Sequence, residues 1–240
     1  MRYISSLRGK LKTKFWNAYT HLQASKLSAT TTAVVDTSQA GELHSILSLM
    51  KPSSTNFFVD VGAHDGKYLS NSWPLVKMGW RGILIEPLPK VFTTLTKNYA
   101  GINGVTLVNK ACSNISGIQQ LYVGSDGDTG QMSTLCADDN EWFRQNRTTD
   151  FVEVQVDRLS NILTDCDAPH NAFLLLVDAE GMDYEVLQGL DIGRYQPEVI
   201  VTEEYASNPD KHQKKYALLR DYGYTYRSLV GYNTIWERTA

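Results

Sequence analysis

A chain of 240 residues, 42% hydrophobic and 20% charged, can bury one sizeable core, and an α/β unit of this length is routinely a single domain. Its longest apolar run, Ala172 to Val177, is too short to cross a bilayer, and Cys112, Cys136 and Cys166 lack the CxxC spacing of a zinc site or the even count of a disulfide framework. These features exclude a membrane-spanning body and point to a reducing, cytosolic setting.

The net charge of −3 hides a segregation. No acid precedes Asp36, while Arg2, Arg8, Lys10, Lys12, Lys14 and Lys26 give that stretch a charge of +6 and leave −9 for the remainder. Ile4, Leu7, Leu11, Phe15, Ala18 and Leu22 recur at spacings of three and four, which lines one face of a helix. Residues 1–40 therefore read as a basic amphipathic arm ahead of a domain over 41–240. Residues 2–26 suit peripheral contact with an anionic membrane surface, and equally a cap on the domain or a contact in a homo-oligomer. No small-residue cleavage site follows an apolar core, so a secretory signal is not expected.

Beyond the arm, the chain alternates strand and helix. An approach helix spans Gly41 to Met50, and an apolar strand ends at Asp60 in the turn Val61-Gly62-Ala63-His64-Asp65-Gly66. A helix starts near Ser70 to Ser72, tolerates Pro74 in its first turn and stops at Gly79. Gly82 to Glu86 forms a second strand, and the helix from Leu88 to Tyr99 sets Leu88, Phe92, Leu95 and Tyr99 on one face. Val105 to Val108 is a third strand. Ile118 to Val123, the Gly- and Asp-rich loop from Gly124 and the alternating Phe151 to Val156 predict inserted strands and a lid carrying Gln131, Met132, Trp142 and Phe143. Phe173 to Val177 then delivers Asp178-Ala179-Glu180-Gly181 to a helix over Met182 to Gln188. Glu198 to Val201 leads to Thr202-Glu203-Glu204-Tyr205, followed by a charged helix from Pro209 to Tyr222. Tyr224 to Leu229 and Thr234 to Glu237 read as a hairpin around Gly231. The whole is a doubly wound, mostly parallel α/β pattern.

The turn from Asp60 to Gly66 carries the first chemical signal. Gly62 and Gly66 remove side chains that would keep backbone N–H groups from a ligand, while Asp60 and Asp65 disfavour a phosphate there. Glu86 closes the second strand twenty residues after Gly66, where a carboxylate accepts hydrogen bonds from ribose hydroxyls. The dinucleotide fingerprint G-x-G-x-x-G is absent, which weakens a nicotinamide-dependent oxidoreductase and favours S-adenosyl-L-methionine. Ligands of open α/β sheets bind beyond the carboxyl ends of the strands, and Asp60, Glu86, Asn109, Asp178, Glu203 and Glu204 all fall there. A rim so acidic, without a basic stripe, disfavours nucleic acid.

The segments DVGAHDG (60–66), SN (70–71), GWRGILIEP (79–87), VNKACSN (108–114) and LLLVDAEGMDYEVLQGLD (174–191) together resemble the FkbM-type, S-adenosylmethionine-dependent methyltransferases, over roughly residues 55–237. The resemblance implies the Rossmann-like, seven-stranded class I methyltransferase sheet, finished by an antiparallel hairpin. Read functionally, Asp60, Gly62, Ala63, His64, Asp65 and Gly66 hold the methionine portion of the cofactor, Glu86 with Pro87 the ribose, and Asn109 with Ala111 the adenine. The resemblance adds Ser70 and Asn71, for which helix capping is the competing role. Asp178 and Glu180 are expected beside the transferred methyl, with His64 a further candidate for proton handling. Either carboxylate acts as general base, or Asp178 with Glu203 and Glu204 holds Mg2+ that gathers vicinal hydroxyls. O-methylation of a hydroxyl on a carbohydrate, glycan or glycosylated small molecule is the expected reaction. A binding or trafficking module that keeps the fold without turnover is the alternative.

Overall fold

The computed structural model describes residues 34–51, 55–124, 132–136, 147–204 and 209–239. The chain divides into two units, residues 1–35 and 36–240, and every helix and strand among the described residues belongs to the second. The expected amphipathic helix of the arm lies outside the described residues, as do Gln131, Trp142 and Phe143 of the lid.

After α1 (Glu42–Leu49), the chain runs β1 (Phe57–Val61), α2 (Trp73–Lys77), β2 (Arg81–Ile85), α3 (Pro89–Asn98) and β3 (Val105–Val108). It continues through β4 (Ala111–Ser113), β5 (Gly117–Gly124), β6 (Arg147–Arg158), α4 (Leu159–Asp165), β7 (Leu174–Val177) and α5 (Asp183–Gln188). β8 (Val199–Glu203), α6 (Pro209–Asp221), β9 (Tyr224–Val230) and β10 (Asn233–Arg238) complete it. Seven strands form one sheet in the order β3-β2-β1-β7-β8-β10-β9. Its first five strands are parallel, and β10 returns antiparallel to both β8 and β9. This is the sheet expected from the alternation and the resemblance, hairpin included.

The unbroken apolar strands follow from burial on both faces. Val59, Ile83, Ile85, Leu175 and Val177 point into one core, shared with Leu159, Ile162 and Leu163 of α4, Val186 and Leu187 of α5 and Leu219 of α6. Their neighbours Phe58, Leu84, Leu174 and Leu176 point into the other, which holds Leu43 and Ile46 of α1, Leu75 of α2 and Leu95 of α3. Because side chains alternate at period two, a strand with helices on both sides leaves few positions for a polar residue except at its end. The polar residues therefore collect at the carboxyl rim.

The insertion builds a second sheet, β4-β6-β5, whose Leu121, Val154 and Val156 pack against Leu88 and Val91 of α3. Two elements differ from the sequence reading. The helix α4 carries its apolar residues at 159, 162 and 163, a helical spacing, but it is only seven residues long. The strand β4 has three residues and exists because β6 offers it a parallel edge.

Candidate active site

A cavity of about 860 Å³ opens above the carboxyl ends of β1, β2, β7 and β8. The inserted sheet roofs it: Leu121 of β5 and the segment Met132 to Leu135 line it, and Thr134 Oγ1 donates to the Glu180 carbonyl at 2.9 Å. Asp60, Gly62, Ala63, His64, Ser70, Asn71, Glu86, Pro87, Ala111, Asp178, Glu180, Glu203 and Glu204 all line this one space.

On the β1–β2 side, geometry is set by backbone. Gly62 N and Ala63 N both donate to the Ile85 carbonyl at 3.0 Å, and Asp178 N donates to Val61 O at 2.9 Å. At φ 85°, a Cβ on Gly62 would lie 1.8 Å from the Asp178 carbonyl oxygen. This glycine thus permits the close approach of β1 and β7, and although it lines the cavity its N–H is given to the Ile85 carbonyl. Gly66 is likewise structural. A Cβ there would meet the Tyr99 ring at 2.4 Å and Leu95 at 2.5 Å, while its N–H donates to Ala63 O.

Glu86 is buried, its Oε1 accepting the Leu88 N–H at 2.8 Å and its Oε2 the His64 N–H at 3.0 Å. Burial pushes its carboxyl up to about 7 against those two bonds, and burial raises Asp60 to about 6 against a bond from Ser72. Each Glu86 oxygen keeps a second lone pair, and the residue lines the cavity.

Three expected contacts do not face the cavity. Asp65 Oδ1 accepts the N–H groups of Lys67 and Tyr68 at 2.8 and 2.7 Å. Despite partial burial, which raises a carboxyl, hydrogen bonds from His64, Tyr68 and Lys67 hold it at about 2. Asn98 Nδ2 and Tyr99 Oη at the end of α3 donate to the carbonyls of Asp65 and Gly66. Asp65 and Gly66 therefore shape the turn. Asn109 Nδ2 donates to the carbonyls of Glu86 and Pro87 at 2.8 and 3.0 Å, so it braces the loop after β2. Ser70 and Asn71 divide their two expected roles. Ser70 Oγ accepts from Ser72 N and Trp73 N, capping α2, whereas Asn71 Oδ1 lies buried on the cavity wall with no hydrogen-bond partner among the described residues.

The opposite side is electrostatic. Asp178 stands open to the cavity yet is crowded by protein; burial, then Asp183 and Asp60, raise its carboxyl, and a hydrogen bond to Glu203 opposes them. Burial and Asp178 raise Glu203 in turn. Each of these two neighbouring carboxyls is thus held above the ordinary carboxylate range, by burial first and by the surrounding acids second. Beneath them Lys215, 2% exposed, donates to the Glu203 carbonyl at 2.5 Å.

Glu204 does not join this pair. Its Oε2 accepts from Tyr216 Oη at 2.8 Å and has Lys215 Nζ at 3.7 Å, while its Oε1 lies 3.1 Å from His212 Nδ1. The expected magnesium set of Asp178, Glu203 and Glu204 is thus not assembled, since the helix α6 draws the third carboxylate aside. Among the described residues no three His, Cys, Asp or Glu side chains come together to hold a metal ion.

The lining also includes residues that sequence reading passed over, among them Lys110, Met182, Tyr232 and Asn233. Lys110 is tied to Asp157 at 2.9 Å. Tyr232 and Asn233 arrive through pairing of β10 with β8, which sets Asn233 opposite Glu203. No local signal marks them.

The profile of the methyltransferase FkbM domain matches residues 60–226, from the end of β1 into β9. The chain belongs to this family. It is an S-adenosylmethionine-dependent methyltransferase, which sets aside the nicotinamide reading. No curated protein sequence matches the chain. Solved structures similar to it include a precorrin-6y C5,15-methyltransferase from Geobacter metallireducens (16% identity, 87% of this chain and 90% of that one, TM-score 0.42). Fibrillarin from Aeropyrum pernix, with natively bound S-adenosyl-L-methionine, is 8% identical over 82% of this chain and 74% of its own, at a TM-score of 0.45. A ribosomal protein L11 methylase from Lactobacillus delbrueckii is 13% identical, covering 84% and 80%, at 0.43. Among the described residues of this FkbM-family chain, no helix is long and apolar enough to cross a membrane.

Proposed function

We propose that this FkbM-family enzyme methylates a hydroxyl oxygen of a carbohydrate, glycan or glycosylated small molecule, with Asp178 as the general base. The observation that carries the reading is the Asp178–Glu203 carboxylate pair, open to a cavity whose other end presents Asp60, Glu86 and the unpartnered Asn71 Oδ1. The cavity suits S-adenosylmethionine in charge as well as size. Its acids complement a ligand bearing ammonium and sulfonium groups, and about 860 Å³ leaves room for a second, small reactant.

The cofactor supplies an already electrophilic methyl group. The chain's task is alignment and proton handling. Glu86 accepts ribose hydroxyls on the lone pairs that Leu88 and His64 leave unused, and Asn71 Oδ1 with Asp60 accepts from the ammonium end. Ala111, Leu121 and Leu135 offer an apolar slot for the base. Asp178 Oδ then takes the acceptor's proton, and its raised pKa makes it a stronger base than an ordinary aspartate. Glu180 stands on the same wall as a positioning group, while Glu203 orients Asp178 through the hydrogen bond between the two carboxyl groups. The His64 side chain, whose Nδ1 lies 3.8 Å from Asp65 Oδ1, stays with the binding turn.

The experiment is methyl transfer from isotopically labelled S-adenosylmethionine to a panel of glycosides, read by mass and by the position of the new methyl signal. A single methyl on oxygen is expected. Methyl found only on nitrogen or carbon overturns the hydroxyl reading, and tight cofactor binding with no transfer to any hydroxyl compound favours the module without turnover.

A further inference from the structure

We propose that Tyr232 and Asn233, at the tip of the C-terminal hairpin, join Glu203 in an acceptor subsite that takes a hydroxyl-rich ring carrying no negative charge. The proposal rests on the carbohydrate reading and narrows it.

Pairing of β10 with β8 places Asn233 opposite Glu203, and the Glu204 N–H donates to the Tyr232 carbonyl at 2.5 Å. The hairpin tip and the end of β8 therefore form one continuous wall, on the side of the cavity away from Glu86. Tyr232 lines the cavity yet is 68% exposed, the most open of the large apolar side chains among the described residues. An aromatic face left open at a cavity mouth offers a flat, amphipathic platform to a ligand ring.

Below the platform the polar groups are almost all acceptors. Asn233, 6% exposed, gives its Nδ2 to Glu42 Oε1 at 2.8 Å, and Glu42 is itself fully buried, so the amide oxygen is what Asn233 has to offer. Glu203 Oε2 is shielded from solvent and meets no hydrogen-bond partner among the described residues. The nearby cations are committed elsewhere. Lys215 pairs with the Glu203 carbonyl and Glu204, Lys211 with Glu185 and His212 with Glu204, and none of the three lines the cavity. A ligand entering here meets acceptors that welcome hydroxyl or ammonium donors, and a buried negative field that repels carboxylate or phosphate.

The test uses the full chain saturated with S-adenosylhomocysteine and three probes in saturation-transfer NMR: methyl β-glucoside, glucosamine and glucuronate. The first two are expected to bind, and glucuronate to bind at least about tenfold more weakly through charge repulsion. Tyr232→Ala should weaken methyl β-glucoside by about fivefold, Tyr232→Phe should retain it, and S-adenosylhomocysteine affinity should stay unchanged in both. Glucuronate binding as well as the neutral glycoside overturns the subsite, as does a Tyr232→Ala protein that binds the glycoside normally. Tight S-adenosylhomocysteine binding with no signal from any probe overturns the subsite and the carbohydrate reading together, whereas a glycoside signal indifferent to Tyr232 overturns the subsite alone.

Discussion

The two walls of the cavity hold their carboxylates in opposite ways. On the β1–β2 side, both oxygens of Glu86 accept backbone N–H groups from residues 88 and 64, and the turn is locked by Ile85 O, Tyr99 and Asn98. On the β7–β8–β10 side, Asp178 and Glu203 lean on each other above a buried lysine, and Glu204 is pulled toward α6. A carboxylate fixed by backbone has one geometry and serves recognition. A carboxylate whose neighbour is another carboxylate can trade a proton at neutral pH, which is what a base requires.

The contrast can be broken by exchanging charge for shape on each wall. Asp178→Asn, which keeps shape and removes the base, should lower turnover by about 10² to 10⁴-fold while the cofactor Kd holds, measured by labelled methyl transfer and calorimetry. An equal loss of binding would place Asp178 with the recognition wall instead. Gly62→Ala should cost about 3 kcal/mol of unfolding free energy in denaturant titration, because the φ of 85° is unfavourable and the new Cβ lands on the Asp178 carbonyl. Glu86→Ala should weaken S-adenosylmethionine binding by about 1 to 2 kcal/mol and leave the turnover of saturated enzyme far less affected than Asp178→Asn does.

A subtler test uses pH. The folded state raises Glu86 from 4.5 to about 7 and Asp60 from 3.8 to about 6, so it holds these protons more tightly than the unfolded chain. Their contribution to the stability of the ligand-free protein is fully present below about pH 4 and is lost as pH rises through 6 to 7. Melting temperature followed from pH 4 to 8 should show this decline, and Glu86→Gln should flatten it. Asp65 runs the other way: its contribution, held above its ordinary range, is lost as pH falls toward about 2. The smallest effect is expected from Asp65→Ala, about 1 kcal/mol of stability from two lost turn hydrogen bonds, read by the same denaturant titration.

The recognition wall was largely legible in the sequence. Its residues come from one βαβ unit, and a strand ending in D-V-G-A-x-x-G followed by I-E-P announces itself over thirty-odd positions. What misled was the purpose of individual residues. Gly62, Gly66, Asp65 and Asn109 read in the sequence as ligand contacts, whereas in the fold their hydrogen bonds and close packing also build the turn and the loop after β2, because a turn that must hold a ligand first has to satisfy its own backbone. The reaction wall was half legible. Asp178 stood out in V-D-A-E-G, and Glu203-Glu204 as a pair, but two adjacent glutamates in sequence do not share a direction. Successive residues at a strand end point to opposite sides, so Glu203 turned toward Asp178 and Glu204 toward His212 and Tyr216.

From the sequence alone came the order of the strands and helices other than α4 and β4, the parallel sheet with its hairpin, the family, and the acids gathered at one rim, since each depends on hydrophobic periodicity and turn chemistry within a few dozen residues. Only the tertiary structure decided that Glu204 leaves the set, that the inserted sheet roofs the cavity, and that Tyr232 and Asn233 stand beside Glu203. Those outcomes depend on contacts between segments distant in the chain, where register and packing choose the partner and no local pattern carries the information.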